Sequence, residues 1–566
     1  MDRIYQAGAR RSVVVVVSLL AVLSMTAVAC GSSSSNGSSS GTAPKAAKNG
    51  TNITVADPGT PKPGGTLKFG LNAETNGWSP VVDEWAGSAY IVAGAIFDHL
   101  AEYDDHDVPK PYLAESITSN SDFTQWTIKM RDGVTFQDGE KCDAQAVADN
   151  LNAQRASALT GAVFQTVTAV KVVDPLTVQV TMNQPWSTFA HTLTTQPGAM
   201  AAPKAMLDKD PTSSNQGGDG GATHPVGTGP FTFVSWTQNS KLVVKKNPNY
   251  WRKGYPLLDG IEFDVITATD SRTSALQTGA VDAIEQGDPP QIKKLASLAE
   301  EGKLQFFTDA GVVQTEAFQA FNTAKPPFND LLARQIVAYA TDRVNLNKVV
   351  FQGVFTPATG PFGPQEPYYS SGGSPAYDPA KAKELEQQYE QKHGHPLSFS
   401  MIVTPQPTVV GIGTFLQQGM SQAGVKMTLK PEDQATLISD VILGNYQSTA
   451  FQLFGAPTLD TNYVFISNST IKPVGQLSLN FSHYNDPILS QAMDDARKTS
   501  DTAEQLKQYA IVQQQIGKNL MFVFWAHLLQ SIAYSNSVHD LTGYKLPDGS
   551  TALRSIVPLT FAAWKS

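Results

Sequence analysis

Cysteine is nearly missing from this 566-residue chain, which holds two, Cys30 and Cys142. Two thiols cannot build a disulfide framework, and with no C-x-x-C pair there is neither a zinc ribbon nor a dithiol redox site. Charge is scarce too, at 16% of residues, where about a quarter is usual. The balance is acidic, 41 Lys+Arg against 50 Asp+Glu for a net of −9, which argues against a nucleic-acid partner or a basic membrane-surface patch. There is no H-E-x-x-H and no Walker A sequence, so no zincin helix or phosphate cradle is indicated. The nine histidines stand singly except for His393-Gly394-His395. That pair precedes Pro396 and lacks a third ligand at recognisable spacing, so a solvated loop is expected, with no metal and no cofactor. His527, after Trp525-Ala526 in an apolar run, reads as a satisfied core histidine. Nothing in this inventory argues for an enzyme.

Long uncharged stretches are also rare, and the one that stands out is at the N-terminus. Arg3, Arg10 and Arg11 precede an uncharged apolar run from Ser12 to Ala29, with small residues Ala27 and Ala29 ahead of Cys30. This is the pattern of a signal peptide over residues 1–29; Arg10-Arg11 leaves general and twin-arginine export both open. Ala27-Val28-Ala29-Cys30 resembles a bacterial lipobox, with Ala27 where that pattern prefers Leu. The resemblance implies lipid on the Cys30 thiol and a membrane anchor. Residues 30–63 are Ser/Gly-rich and then Ala/Pro/Lys-rich, a composition that buries no core and reads as a flexible tether. Gly37-Ser38-Ser39-Ser40-Gly41 matches the G-x-S-x-G elbow by letter, without the strand and helix that give the elbow its chemistry.

Beyond the tether the length suits two or more lobes. His224 to Trp251 reads as a tight turn at Gly227-Thr228-Gly229-Pro230, where glycine would permit positive φ, and then a hairpin. Phe231 to Trp236 and Leu242 to Val244 are its strands, split by Gln238-Asn239-Ser240 and ended by Asn247-Pro248. Asp143 is expected to cap one helix, Asn329 a second, and Asp378 with Pro379 at its first position a third. Leu397–Val403, Val410–Ala423 and Val425–Leu429 follow in strand–helix–strand order, which suggests a partly parallel α/β sheet.

The ordered set Gly227–Phe231, Asn247–Trp251 and Thr278–Asp282 resembles the extracellular solute-binding proteins of ABC importers, in the oligopeptide and dipeptide class. Further likenesses are Gly64-Gly65-Thr66, Arg131 to Gly139, Ala338 to Arg343 and Asn480 to Ala496. The resemblance implies an α/β, two-lobed periplasmic-binding-protein fold (type II, class C) with an extra insertion domain and a central ligand cleft. One lobe would combine residues 64–97, 201–312 and 531–566, with 98–200 inserted, and the other would be 313–530. One cleft wall would be Trp85, Ala86, Gly87 and Ser88, and the other Phe454, Gly455, Ala456 and Pro457. The family aspartate that pairs with a ligand ammonium falls at Pro457; Asp460 matches a second aspartate, more often structural in the family, and is included among the ligand-binding candidates as the carboxylate that could substitute for the first. The implied role is a monomeric lipoprotein on the outer face of the cytoplasmic membrane. It would capture a small solute, with a short peptide as the leading substrate, and deliver it to an ABC permease by closure of two lobes. Two alternatives stay open: a non-peptide solute (oligosaccharide, metal chelate, haem, glutathione), or a cell-envelope scaffold on the same fold.

Overall fold

The computed structural model describes residues 51–53, 59–207, 222–309, 315–364, 366, 368–453, 457–554 and 560–566. Cys30 and the leader lie outside them, as do Phe454, Gly455 and Ala456. No helix among the described residues is long and apolar enough to cross a membrane.

Three sheets organise the chain. The first has eight strands in the order Thr51–Ile53, Gln305–Thr308, Ser531–Tyr534, Ala283–Gln286, Thr66–Leu71, Gly260–Val265, Lys241–Lys246, Phe231–Thr237. Thr66–Leu71 pairs in parallel with both its neighbours, and every other pair is antiparallel. Thr51–Ile53 falls in the stretch read as a tether, yet it pairs with Gln305–Thr308. An open sheet edge offers a short extended segment a full row of backbone partners. The second sheet is four-stranded and antiparallel, two hairpins in the order Ala114–Ser119, Gln125–Met130, Thr177–Met182 and Val167–Asp174. Helix Ala144–Ala156 packs on it, and Asp143 caps that helix by accepting the N–H groups of Gln145 and Ala146.

The third sheet orders Thr356–Pro357, Phe522–Leu528, Thr315–Phe321, Ser448–Leu453, Ser398–Val403 and Lys426–Pro431. Ser398–Val403 runs parallel to Lys426–Pro431 and to Ser448–Leu453. Helix Pro407–Gln422 makes the crossover between the first two, which is the expected α/β unit. Period-two alternation gives this sheet two buried faces. Ala317 and Phe321 enter one core, while Phe318 and Ala320 enter another with Phe522 and Phe524.

Two local readings change. The helix after Pro326-Pro327 is capped by Asp330, not Asn329; Asp330 Oδ1 accepts Leu332 N–H, and the turn from Pro327 runs one residue further. Gly227 and Gly229 do not use positive φ. They are needed for close approach: a Cβ on Gly227 would lie 2.2 Å from the Ile96 carbonyl oxygen, and one on Gly229 2.5 Å from the Ile96 carbonyl carbon.

Candidate functional site

Two of the three family-like motifs, Gly227–Phe231 and Asn247–Trp251, turn out to meet on one group. Thr228 hydroxyl, Tyr250 hydroxyl and Trp251 Nε1 all donate to buried Asp98, at 3.0, 3.0 and 2.9 Å. Burial still holds the Asp98 carboxyl up at about 6. Gln137 completes this knot by donating from Nε2 to the carbonyls of Ile96, Gly229 and Phe231. These motifs are therefore joinery between the first two sheets.

The 85–88 segment packs into the core next to this knot. Trp85 is buried, with its ring 5.6 Å from Phe97 and 5.9 Å from Tyr90, and its Nε1 has no partner. Ala86 is the N-cap residue of helix Gly87–Ile96. Ser88 hydroxyl donates to buried Glu285, which also accepts Asn72 N–H at 2.6 Å. Pro457 is half-buried. Among the described residues no hydrogen bond joins segment 85–88 to Pro457 or Asp460.

The seam between the halves of the molecule is more informative. The chain passes from the eight-stranded to the six-stranded sheet after Thr308 and returns after Leu528. The two passages are bonded together: Asp309 N–H donates to the Gln530 carbonyl at 3.2 Å, and Gln530 N–H to Asp309 Oδ1 at 2.8 Å. Burial pushes the Asp309 carboxyl up to about 8. Elsewhere on the seam, Thr408 hydroxyl donates to Asp288 at 2.5 Å.

Asp460 closes a third contact, and both of its oxygens are engaged. Oδ1 accepts from Arg497 Nε at 2.5 Å, and Oδ2 from Trp186 Nε1 at 2.8 Å and Thr188 hydroxyl at 2.6 Å. Trp186 and Thr188 follow the four-stranded sheet, whereas Asp460 and Arg497 belong to the six-stranded half. The Arg497 guanidinium lies 4.5 Å from the Trp186 ring centroid and 3.5 Å from that of Tyr463, a favourable cation–π setting. Ser187 adds two bonds, from N–H to the Arg497 carbonyl (2.7 Å) and from its hydroxyl to the Thr499 carbonyl (2.6 Å).

A second acidic corner lies on the same seam without such partners. Glu316 stands directly opposite His527 on the neighbouring strand, and His527 opposite Thr356. Opposed residues share a face, so the face carrying Phe318 and Phe524 ends in Glu316 and His527. Glu316 is 3% exposed and His527 1%. Glu366 is half-buried on the loop beyond Phe362, and Asp107 half-buried on the turn between Ala101–Tyr103 and Pro109–Pro111. Glu366 Oε1, Asp107 Oδ1 and His527 Nδ1 are all buried without a hydrogen-bond partner. Burial raises these carboxyls first: Glu366 to about 8, with a hydrogen bond from the Gly363 backbone lowering it and Asp107 raising it further, and Glu316 well above its usual range with Glu366 beside it. Asp107 rises to about 6 through burial and Asp104, partly offset by His106. His527 offers no compensating charge, because burial lowers it to about 4. The expectation of a satisfied core histidine therefore holds for burial and fails for hydrogen bonding.

One group among the described residues has the spacing to hold a metal ion: Asp104, Asp105 and His106, with ligand atoms within 4.8 Å. Asp104 Oδ1 already accepts the N–H groups of His106 and Val108, and its Oδ2 lies 3.4 Å from Lys110 Nζ. The set reads as a self-bonded turn. His393 is taken up by Asp330, at 2.9 Å, and by stacking on Tyr389.

Comparison with known proteins agrees with this architecture. The family model described as bacterial extracellular solute-binding proteins, family 5, middle region, matches residues 108–472. The glutathione-binding protein GsiB of Salmonella paratyphi A is 30% identical over 465 residues, spanning 80% of this chain and 86% of that protein. Two solved structures superpose with TM-scores of 0.76. One is AgaA of A. tumefaciens R10 in complex with agropinic acid, 23% identical over 89% of this chain and 99% of that one. The other is the oligopeptide-binding protein AppA of Bacillus subtilis in complex with a nonapeptide, 20% identical over 90% and 100%. At these identities the two structures speak for the fold.

Proposed function

The chain belongs to family 5 of the bacterial extracellular solute-binding proteins, and from that premise we propose that it is a lipid-anchored capture protein that closes two lobes around a short peptide. The eight-stranded sheet with the four-stranded sheet attached is one lobe, and the six-stranded sheet is the other. Delivery to an ABC permease follows if the permease prefers the closed form. The single observation that carries the reading is the seam itself: two bonded passages of chain at Asp309 and Gln530, with side-chain contacts beyond them at Asp460 and Thr408. Such a seam turns on two short connections while its other contacts form and break as a set.

Peptide is the preferred solute because a relative is named for the tripeptide glutathione and a neighbour was solved with a nonapeptide. The unpartnered Trp85 Nε1 is a donor available to a ligand carboxylate or carbonyl. Small-angle scattering tests closure. Protein freed of retained ligand should contract on adding its solute, with a higher melting temperature. No contraction and no melting shift with peptides, glutathione or sugars would favour a scaffold role. For the anchor, Cys30→Ala should release the protein from membranes; a variant that stays membrane-bound and lipid-bearing would contradict it.

A further inference from the structure

Building on the solute-binding reading, we propose that the corner formed by Glu316, Glu366 and Asp107 receives a cationic group of the ligand, a primary ammonium or a guanidinium. Three observations converge on it. First, the corner is short of positive charge. Removing a carboxylate from water is costly unless a cation or several donors replace the lost hydration. Glu316 is 3% exposed and accepts from no side chain. The charged groups acting on it and on Glu366 are other carboxylates. Lys110, three residues beyond Asp107, pairs with Asp104 at 3.4 Å.

Second, the corner keeps vacant polar atoms. Glu366 Oε1, Asp107 Oδ1 and His527 Nδ1 are all buried and unpartnered. His527 is directly opposed to Glu316 in the strand register, so its neutral ring nitrogen can accept from the same cation. An ammonium has three donors and a guanidinium five, enough to satisfy such a set.

Third, the corner is shared between the halves. Asp107 comes from the half that carries the four-stranded sheet, Glu316 and Glu366 from the six-stranded half. A cation seated there takes the place of the protons that burial makes these carboxyls hold, so that they ionise with the halves together. Ligand charge and lobe closure thus become one event, which gives the ligand the differential affinity for the closed form that a population shift requires. Asp460 lies on the same seam and cannot do this, because Arg497 already occupies it.

The ammonium could come from a peptide N-terminus, a lysine side chain or a polyamine, and the probes separate these. Calorimetric titration would use the whole lipoprotein in mild detergent, freed of retained ligand, with trialanine, N-acetyl-trialanine, Nα-acetyl-lysine amide, spermidine, glutathione and maltotriose. It would be repeated on Glu316→Gln, Glu366→Gln and the double variant. Removing one partner of a buried charge pair should weaken binding at least about thirtyfold. We expect binding by one or more free-amine probes, loss on acetylation of a bound peptide, and at least that weakening in either Gln variant. The ligand-free double variant should also melt higher than the parent at pH 8 and about equally at pH 5. Maltotriose or the acetylated peptide bound equally well by parent and variants would overturn the cationic corner and leave solute capture standing. If no probe binds, the melting comparison decides: a higher melting temperature at pH 8 upholds an unpaired corner, and an unchanged or lower one overturns it.

Discussion

Two groups of carboxylates sit on one seam and differ in what surrounds them. Asp460 is buried with a guanidinium, an indole N–H and a hydroxyl aimed at it. Glu316 is buried opposite a neutral imidazole and beside the half-buried Glu366, which in turn lies beside the half-buried Asp107. Tyr103 feels both groups: burial raises its hydroxyl most, and Asp107 and Asp460 each add to that rise. The two sites are thus neighbours in one electrostatic environment. The difference teaches that burial alone does not tell a structural acid from a binding one. A carboxylate whose donors are supplied by the chain is finished, and one whose donors are missing is waiting for a solute or holding a proton.

The sharpest way to break this contrast is to make the same isosteric change in both places. Asp460→Asn leaves Arg497, 5% exposed at its side chain, without a counter-ion, and breaking a buried pair costs about 3–5 kcal/mol. Urea denaturation should show that loss as a large fall in midpoint. Glu366→Gln should instead stabilise the ligand-free protein at pH 8, so the two substitutions have opposite signs. An equal loss in both would dissolve the distinction.

A smaller effect is the pH profile of the ligand-free protein. Glu366 moves from 4.5 to about 8 on folding and Asp107 from 3.8 to about 6. The groups facing them are Glu316, Asp104, His106 and His527. Because these carboxyls hold protons more tightly when folded, the folded state binds more protons than the unfolded chain between those values. Stability at this corner must therefore fall as pH rises from about 4 to about 8. Melting scans should show that fall and its reduction in the Glu316→Gln/Glu366→Gln variant; a parallel profile in parent and variant would count against the assignment. Smallest of all is Thr188→Val, which removes one hydrogen bond to Asp460 at nearly constant shape. It should cost about 1–2 kcal/mol, with the pH profile unchanged, again read from the urea midpoint.

Much of the architecture was legible because its signals are local. The hairpin strands, the caps at Asp143 and Asp378, and the helix end at Gly279, where φ is 75°, each depend on a few neighbouring residues. The order of motifs supplied the family. The ligand corner was not legible, because residues 107, 316, 366 and 527 come together through strand register and loop packing, which no local pattern encodes. One trace was present: in Thr315–Phe321 a glutamate alternates with Phe318 and Ala320, placing a charge on the inward face of a core strand. Asp98 was missed for the same reason, since the motifs that donate to it lie far along the chain. Gly227 and Gly229 were recognised as necessary but for the wrong cause, because the crowding comes from Ile96 and not from their own φ.

The most direct test of the central claim is native mass spectrometry of the protein purified without denaturation, beside the Glu316→Gln/Glu366→Gln variant. The account predicts that the parent retains small molecules bearing a free amine or guanidine, in a ladder spaced by amino-acid residues if they are peptides, and that the variant emerges empty. A retained neutral or anionic molecule, held equally by both proteins, would contradict it.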